Sequence, residues 1–286
     1  MPRAPRWRCR ASALGYYFSC DFRAAFDRAV AEGLVELESE AAADVAANKT
    51  SSPQADFGTC AHFHLQDGLR CAFPGPPADF APEPEQKANA AKMWNGSAEE
   101  CETQIRACAT LAARHMPATQ DGQPWLAESE WSWGKFLQGH IDFLSQDYLD
   151  IVDLKTTSRP PPGNKIKAAH LAQLTGYRIM VAQKTGVWAK RGLILYVSSR
   201  SDWVLPCPVN FETAENAEWT VHVMQYLKYL SSAALFKYAV PRMGDHCSDE
   251  WCPYRNICKN KTIPPPGAMH GLTSAPPTMN FAGLIP

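Results

Sequence analysis

The chain has 286 residues, of which 45% are hydrophobic and 20% are charged. This is enough apolar material for one large or two modest domains with a sizeable core. Lys and Arg number 28 against 29 Asp and Glu, so the formal net charge is -1. The balance excludes a basic field over the whole molecule, and any contact with nucleic acid must depend on local patches or bound cations.

The N-terminal segment MPRAPRWRCR is rich in arginine and contains no acid. It lacks the apolar region of a secretory signal, although its composition is compatible with a transit peptide. No apolar run approaches the ~20 residues of a membrane span, so we expect no membrane partner. We expect a cytoplasmic protein from a prokaryote or a phage, with a mitochondrial location left open.

Helices are predicted for the first part of the chain. Residues 12–36 repeat large apolar side chains at roughly helical spacing, and a second helix is predicted over 56–71. The proline-dense stretch 71–87 predicts a loop. Ser97 and Glu100 form a capping-box pattern that opens a further helix.

Strands are predicted next, because residues 125–145 and 148–157 alternate polar and apolar side chains and are rich in β-formers. Later elements follow in order: a break at PPPGN (160–164), a helix over 165–186, strands over 191–199 and 202–209, and a long helix over about 212–238. We expect residues 1–11 to be a flexible basic N-terminus, 12–260 to be the folded domain, and 261–286 to be a Pro-rich flexible tail.

The first two strands carry Asp142, Asp153 and Lys155, although a core strand normally excludes unpaired charge. Alternation places Asp153 and Lys155 on one face, together with Ile151. A turn around residues 146–147 would place Asp142 opposite Ile151 and bring all three charged groups to one patch.

Two carboxylates held together repel each other unless a cation lies between them, and hard oxygen ligands suit Mg²⁺ or Mn²⁺. A lysine beside them could position an attacking water or stabilise charge on a pentavalent phosphorus. The combination suits phosphodiester hydrolysis. The alternative is an exposed Asp–Lys salt bridge, which is common and contributes little.

Four short motifs occur in order: G-x-x-x-H (Gly58 to His62), G-x-x-D (Gly139 to Asp142), D-x-K (Asp153 to Lys155) and Q-x-x-x-Y (Gln173 to Tyr177). Together they resemble the PD-(D/E)XK nuclease superfamily, most closely its RecB-like branch, over roughly residues 12–260. The resemblance implies an α/β (α+β) fold with a restriction-endonuclease-like core, in which a mixed central sheet is flanked by helices.

The resemblance also assigns roles. It implies a divalent-metal site whose ligands are His62, Asp142, Asp153 and the backbone carbonyl of Leu154. It implies that the catalytic set is Asp142, Asp153, Lys155, Gln173 and Tyr177. In this interpretation Lys155 is the catalytic lysine, and the two residues of the following helix orient it or contact a DNA phosphate.

Other polar residues near these motifs are less specific. His64 is a rival to His62, and His170 lies one helical turn before Gln173. Glu128 and Glu130 precede Gly139 on a predicted strand, where we expect them to face solvent.

The sequence CSDEWCPYRNIC places Cys247, Cys252 and Cys258 within twelve residues. Disulfides fit poorly with a chain that lacks an export signal, so metal ligation is the leading interpretation. Three thiolates need a fourth ligand to complete a cluster. Five other cysteines are scattered, and we expect them to be small buried hydrophobes: Cys60, Cys71, Cys101, Cys108 and Cys207.

Several RecB-like nucleases, among them CRISPR-associated adaptation exonucleases and AddB-type domains, clamp the nuclease domain with a [4Fe–4S] cluster. One of its cysteines precedes the fold and three follow it. By this resemblance the ligands are Cys20, Cys247, Cys252 and Cys258. Zinc is the alternative, with His246 as another ligand or Cys9 in place of Cys20.

The sequence therefore predicts a metal-dependent DNA nuclease, an exonuclease acting on single-stranded or end-processed DNA. Partner proteins would come from recombination, repair or CRISPR adaptation. The main alternative is a non-cleaving DNA-binding or assembly subunit, and a third is an iron–sulfur redox sensor. We expect Tyr177 to offer a stacking surface for bases. Four cations are expected to flank the DNA path: Lys165, Lys167, Lys190 and Arg191.

Overall fold

A computed structural model describes residues 7–34, 51–72, 81–120 and 122–235. The α-helices in these ranges are α1 (Leu14–Ser19), α2 (Asp21–Ala31), α3 (Pro53–Gly68), α4 (Pro84–Ala91), α5 (Ala98–Ala113), α6 (Ala168–Thr185) and α7 (Ala214–Leu230). The strands are β1 (Cys9–Arg10), β2 (Leu126–Trp133), β3 (Leu137–Leu144), β4 (Asp150–Thr157), β5 (Arg191–Ser198) and β6 (Val204–Asn210).

The six strands form one mixed sheet in the order β1-β3-β4-β5-β6, with β2 paired to β3. The pairs β1–β3 and β4–β5 are parallel, whereas β2–β3, β3–β4 and β5–β6 are antiparallel. Helices cover both faces. This architecture confirms the predicted α/β fold with a mixed central sheet flanked by helices.

Two hydrophobic clusters lie on opposite faces of the sheet. The first is shared with α1, α2, α6 and α7 and the second with α3, α4 and α5. On β4, Ile151 belongs to the first cluster, whereas Val152 and Leu154 belong to the second. This division agrees with the alternation read from the sequence and shows that both faces of β4 are covered.

The sheet opens between β3 and β4. Strand β2 pairs with β3 from Leu126 to Trp133 except at Glu128, whereas β4 pairs with it only at Phe143 and Leu144. Strand β1 pairs with β3 at the other end, at Leu137 and Gln138. Because β2 occupies one edge of β3, β1 and β4 share the other edge and leave its middle, next to Asp142, without a neighbouring strand.

The register of the hairpin differs from the prediction. Ile151 lies opposite Leu144 and not opposite Asp142. The turn is fixed by side chains, since the Asp150 amide donates to Ser145 Oγ (2.9 Å) and the Leu149 amide donates to an Asp147 oxygen (3.1 Å). These bonds centre the turn further along the chain than residues 146–147.

Three predicted element boundaries were also wrong. The helix over 12–36 is interrupted at Cys20, which is extended (φ -154, ψ 99) between α1 and α2. The loop predicted over 71–87 ends where α4 begins at Pro84, because proline at a first helical position needs no hydrogen-bonded N–H. Helix α7 ends at Leu230, where the Ser231 amide donates to Leu227 O, well before residue 238.

Within the described ranges, no helix is long and apolar enough to cross a membrane. The segment 1–11, predicted to be flexible, includes β1, which pairs with β3. The domain limit at residue 260 stays a prediction.

Helix α3 packs closely on β4 at Gly58. A Cβ atom built on Gly58 would lie 2.8 Å from Thr156 Oγ1. This close approach brings the next turn of α3, which carries His62, over the middle of β4. A side chain at Gly58 would push α3 away from the strand.

Replacing glycine with alanine within a helix normally raises the free energy of unfolding by ~1 kcal/mol. We expect Gly58→Ala to show no such gain, because the added Cβ collides with Thr156. Adding Thr156→Ala should restore it, because the colliding hydroxyl is then absent. Chemical denaturation measures the free energy of unfolding of both single variants and the double variant. Gly68→Ala is the matched control, since a Cβ there meets nothing within 4 Å. Strictly additive effects of the two substitutions would contradict the contact.

Candidate active site

Asp142 lies at the opening between β3 and β4. Its Oδ2 accepts a hydrogen bond from the backbone N–H of Leu154 at 2.9 Å, and the residue is 8% exposed. The carboxylate thus takes the place of a backbone carbonyl that a continuous ladder would supply. As a result, a charged group is held between two strands and its other oxygen is left for other partners.

Asp153 and Lys155 form a buried ion pair on the face of β4 that also carries Ile151. Lys155 Nζ lies 2.9 Å from Asp153 Oδ1 and 2.8 Å from Oδ2. Asp153 is fully buried, and the Lys155 side chain is 22% exposed. The alternative interpretation, an exposed salt bridge on a solvated strand face, was therefore wrong.

His62 reaches the opening from α3. Its Nε2 lies 3.0 Å from the Leu154 carbonyl oxygen, and its Nδ1 lies 3.5 Å from Asp142 Oδ2. If Nε2 carries the proton and donates to the carbonyl, the Nδ1 lone pair faces the carboxylate side. The rival residue His64 points elsewhere and contacts Glu102 at 3.2 Å.

Glu128 of β2 joins the same group. One ligand atom from each of His62, Glu128 and Asp142 lies within 4.8 Å of the others. Gln66, which is 1% exposed, donates from Nε2 to Glu128 Oε1 at 2.9 Å and fixes the carboxylate. The expectation that Glu128 faces solvent was therefore wrong.

The backbone of Glu128 explains why this position could not be recognised from the sequence. Its φ is +48°, a left-handed conformation that is uncommon for a residue other than glycine. The regular alternation of β2 is broken there, since Ala127 packs in the second cluster and Trp131 in the first. Such strained residues occur preferentially at functional sites.

Burial and mutual repulsion make the carboxylates of this group difficult to ionise. Burial, opposed by Lys155 and reinforced by Asp142, raises the pKa of Asp153 to about 6. Burial likewise raises the pKa of Asp142 and of Glu128, and the negative charge of Asp142 adds to the shift at Glu128. Burial lowers the pKa of His62, so its imidazole is held neutral.

Lys155 behaves in the opposite way. Burial alone favours the neutral amine, but Asp153 and Asp142 outweigh it and raise the pKa of Lys155. The lysine is therefore an ammonium ion over the physiological range. When all three carboxylates are ionised, their negative charge exceeds the single positive charge of Lys155.

A divalent cation fits this donor set. The neutral imidazole and the carboxylate oxygens are ligands that Mn²⁺ accepts, and the oxygens also suit Mg²⁺. In addition, Asp153 Oδ2 lies 2.8 Å from the Lys155 ammonium but accepts no hydrogen bond of regular geometry among the described residues. It retains lone pairs for a cation.

Gln173 and Tyr177 approach from α6, on the other face of the sheet. Gln173 Nε2 donates to the Tyr177 hydroxyl oxygen at 2.6 Å, as expected for residues one turn apart on a helix. Burial and the charges of Asp142 and Asp153 raise the pKa of Tyr177, so the phenol stays protonated. Tyr177 is 3% exposed and offers no surface for base stacking, contrary to the prediction.

Tyr196 connects His170 to the site, since its hydroxyl contacts His170 and the residue pairs with Lys155 in the sheet. The Tyr196 hydroxyl accepts from the Lys167 amide (3.1 Å) and lies 2.8 Å from His170 Nδ1, to which its own proton can be donated. Burial, followed by Lys155 and Lys167, lowers the pKa of His170 to about 3. This histidine is therefore neutral.

Of the predicted cluster cysteines, the structure describes Cys20, which is buried where α1 meets α2. Cys247, Cys252 and Cys258 lie outside the described residues. The five scattered cysteines predicted to be small buried hydrophobes are all buried, which confirms that expectation.

The mixed sheet thus opens around a lysine, a histidine and three carboxylates. The model of the PD-(D/E)XK nuclease superfamily matches residues 11–259. The chain belongs to this superfamily, as the four motifs predicted. Its assignment to the RecB-like branch stays a prediction.

Two solved structures are similar to the chain. A crystal structure of a protein named SSO0001 shares 16% identity, with a TM-score of 0.32, and the match covers 62% of this chain and 82% of that one. A phage-related exonuclease from Haemophilus somnus 129PT shares 12% identity, with a TM-score of 0.34 and coverage of 79% and 95%. Among curated protein sequences, none matches significantly.

The raised pKa of Asp153 predicts that binding of a cation at this site would depend on pH. Without a cation, the folded chain binds more protons than the unfolded chain between about pH 4 and pH 6, because the ordinary aspartate pKa is near 4. This group's contribution to stability therefore falls as the pH rises through about 6. A bound cation offsets that loss.

We expect Mn²⁺ to raise the melting temperature by several degrees at pH 7.5, and by less at pH 5.5, relative to EDTA. Thermal melts followed by circular dichroism measure both shifts. His62→Ala should remove most of the gain, whereas the control His64→Ala should retain it. Equal gains at the two pH values, or in the two variants, would contradict the assignment.

Proposed function

We propose that this chain is a metal-dependent deoxyribonuclease of the RecB-like branch, an exonuclease that acts on single-stranded or end-processed DNA. The observation that carries the proposal is the convergence at the β3–β4 opening. Asp142, Asp153 and Lys155 meet there, with His62 on one side. Membership of the PD-(D/E)XK nuclease superfamily supports a nuclease in the coarser sense.

The proposed ligands of Mg²⁺ or Mn²⁺ are His62, Asp142, Asp153 and the carbonyl of Leu154. We add Glu128, because its carboxylate lies within 4.8 Å of the ligand atoms of His62 and Asp142. When bound, the cation supplies positive charge and Lewis acidity at the scissile phosphate. His62 donating to the Leu154 carbonyl orients both groups, and the carbonyl keeps a second lone pair.

Lys155 is the proposed catalytic lysine. Asp153 holds its ammonium at 2.8 Å, so the group is charged and fixed before substrate arrives. An ammonium so placed can orient the attacking water and stabilise the charge that develops on the phosphoryl oxygens. Tyr177 is buried and accepts a hydrogen bond from Gln173. We therefore propose that these two residues position the carboxylates and do not contact DNA phosphate.

The depth of the site favours a flexible substrate. The side chains of Asp142, His62 and Lys155 are 11%, 18% and 22% exposed. A single strand or a frayed end can turn one phosphate into such a recess, whereas a paired strand is held by its stacked neighbours. Nucleases and other enzymes that accept single strands commonly guide them through a narrow cationic groove.

We expect the wild-type protein with Mn²⁺ to degrade a single-stranded oligonucleotide from one end. Oligonucleotides labelled at the 5′ or the 3′ end distinguish degradation from either end on a gel. An exonuclease releases short labelled products from only one of the two substrates. A ladder of internal products from both substrates would exclude exonuclease action while retaining the nuclease.

Asp153→Asn and Lys155→Met should each reduce kcat/KM by about 100-fold or more, because each removes a charge at the reacting phosphate. Asp150→Asn is the matched control on the same strand, where the carboxylate pairs with Arg191 at the other end. Melting curves establish that the variants fold. If the wild type binds DNA but never cuts it, the chain is instead the non-cleaving binding subunit.

We also propose that Cys20, Cys247, Cys252 and Cys258 hold a [4Fe–4S] cluster. The end of α7 is tied to the helices that flank Cys20. Arg28 of α2 donates to the carbonyls of Leu230 (3.0 Å) and Ser232 (2.7 Å). The segment with the other three cysteines therefore continues from a part of the chain that contacts α2, which supports a ligand set that joins the two.

Anaerobically purified protein should contain about four iron atoms per chain and absorb broadly in the visible range. Cys20→Ser and Cys252→Ser should lose both signals. Cys9→Ser should keep them, since Cys9 is fully buried beside β3 and donates only weakly to the Arg10 carbonyl. Zinc in place of iron, or loss of metal from Cys9→Ser alone, would overturn this ligand assignment.

A further inference from the structure

Exposed cations gather where β4 and β5 end. The two strands are parallel, and their last residues Thr157 and Ser198 lie side by side. Arg159 and Arg200 each follow two residues later, in turns that are fixed by hydrogen bonds. Thr157 Oγ1 donates to the Arg159 carbonyl at 3.0 Å, and the Arg200 amide donates to Ser198 Oγ at 3.0 Å.

Lys165 and Lys167 extend this surface toward the active site. Both are exposed in the segment that leads from β4 into α6. The Lys167 amide donates to the hydroxyl of Tyr196, which is the β5 residue paired with Lys155. Lys167 is thereby fixed on the side of the sheet that carries the buried lysine.

The four side chains have no acidic partner within the part of the chain that the structure describes. The acid in the β5–β6 turn, Asp202, accepts a hydrogen bond from Ser198. We refer to this surface as the edge patch, and it is formed by Arg159, Lys165, Lys167 and Arg200. Its charges are available to a ligand.

The other two cations that were predicted to flank DNA are each paired with an acid. Lys190 lies 3.7 Å from Glu212, and Arg191 binds both carboxylate oxygens of Asp150. Lys190 directly precedes β5 and Arg191 begins it, seven residues or ~23 Å from its end at 3.3 Å per residue. They are unsuited to a path that reaches Lys155.

We propose that the edge patch binds the backbone phosphates of a single DNA strand, immediately beside the phosphate in the active site. Thr157 is two residues, or ~7 Å, beyond Lys155 along β4. The patch therefore begins within about one nucleotide of the buried lysine and continues outward. Its association with cleavage rests on the proposed nuclease function, whereas its affinity for DNA does not.

The test is binding of a fluorescein-labelled oligothymidylate, followed by fluorescence anisotropy in EDTA at several salt concentrations. Without a cation the carboxylates of the site repel phosphate, so affinity reports on other contacts. The patch variant replaces Arg159, Lys165, Lys167 and Arg200 with Gln. The control variant makes the same change at exposed cations elsewhere: Lys92, Arg114, Lys184 and Lys228.

We expect the patch variant to bind at least tenfold more weakly than wild type. The slope of log K against log salt should fall by about 0.7 for each phosphate that the variant no longer neutralises. The control variant should stay within twofold of wild type. A charge-keeping variant, with Arg159→Lys, Lys165→Arg, Lys167→Arg and Arg200→Lys, should bind like wild type and shows that charge and not folding is responsible.

Equal affinity and salt slope in the patch and control variants would overturn the proposal. The result is independent of catalysis, because no cleavage takes place in EDTA. A wild-type chain that binds through the patch but never cuts refutes the nuclease function alone. A chain that cuts, and whose patch variant binds like the control, refutes the patch alone.

Discussion

The candidate active site depends on one hydrogen bond, from the Leu154 N–H to Asp142 Oδ2 across the gap between β3 and β4. A buried backbone amide must find an acceptor, and here the neighbouring strand has already diverged. The carboxylate that fills this role is thereby fixed next to β4. Because Asp153 and Lys155 are the residues on either side of Leu154, the same bond sets the position of all three charged groups relative to one another.

The opening also explains why residues from both helical layers reach one site. His62 comes from α3 on one face, and Tyr177 comes from α6 on the other. Burying this many ionisable groups is costly, and the left-handed backbone of Glu128 adds strain. The two hydrophobic clusters around the site offset that cost. A group of buried charges that opposes folding is expected at a functional site.

The sequence could predict most of the fold because strand alternation and motif order depend on local spacing. Asp153 and Lys155 share a face in any regular strand, and Gln173 and Tyr177 share a face in any helix. The hairpin register was missed because it depends on hydrogen bonds made by Ser145 within the turn. Glu128 was missed for a related reason: its position follows from a backbone conformation that breaks the alternation on which the prediction relied.

The distribution of charge explains how a chain with a net charge of -1 could bind a polyanionic substrate. At the start of β5, Arg191 is paired with Asp150, so that end of the sheet is nearly neutral. At the other end, Arg159 and Arg200 have no acidic partner in the described ranges. Electrostatic screening limits the reach of surface charges to ~10 Å at 0.1 M salt. The electric field at the candidate active site is therefore set by the nearest residues and not by the net charge of the chain. Because acids are paired with cations far from the site, the remaining positive charge is concentrated where β4 and β5 end.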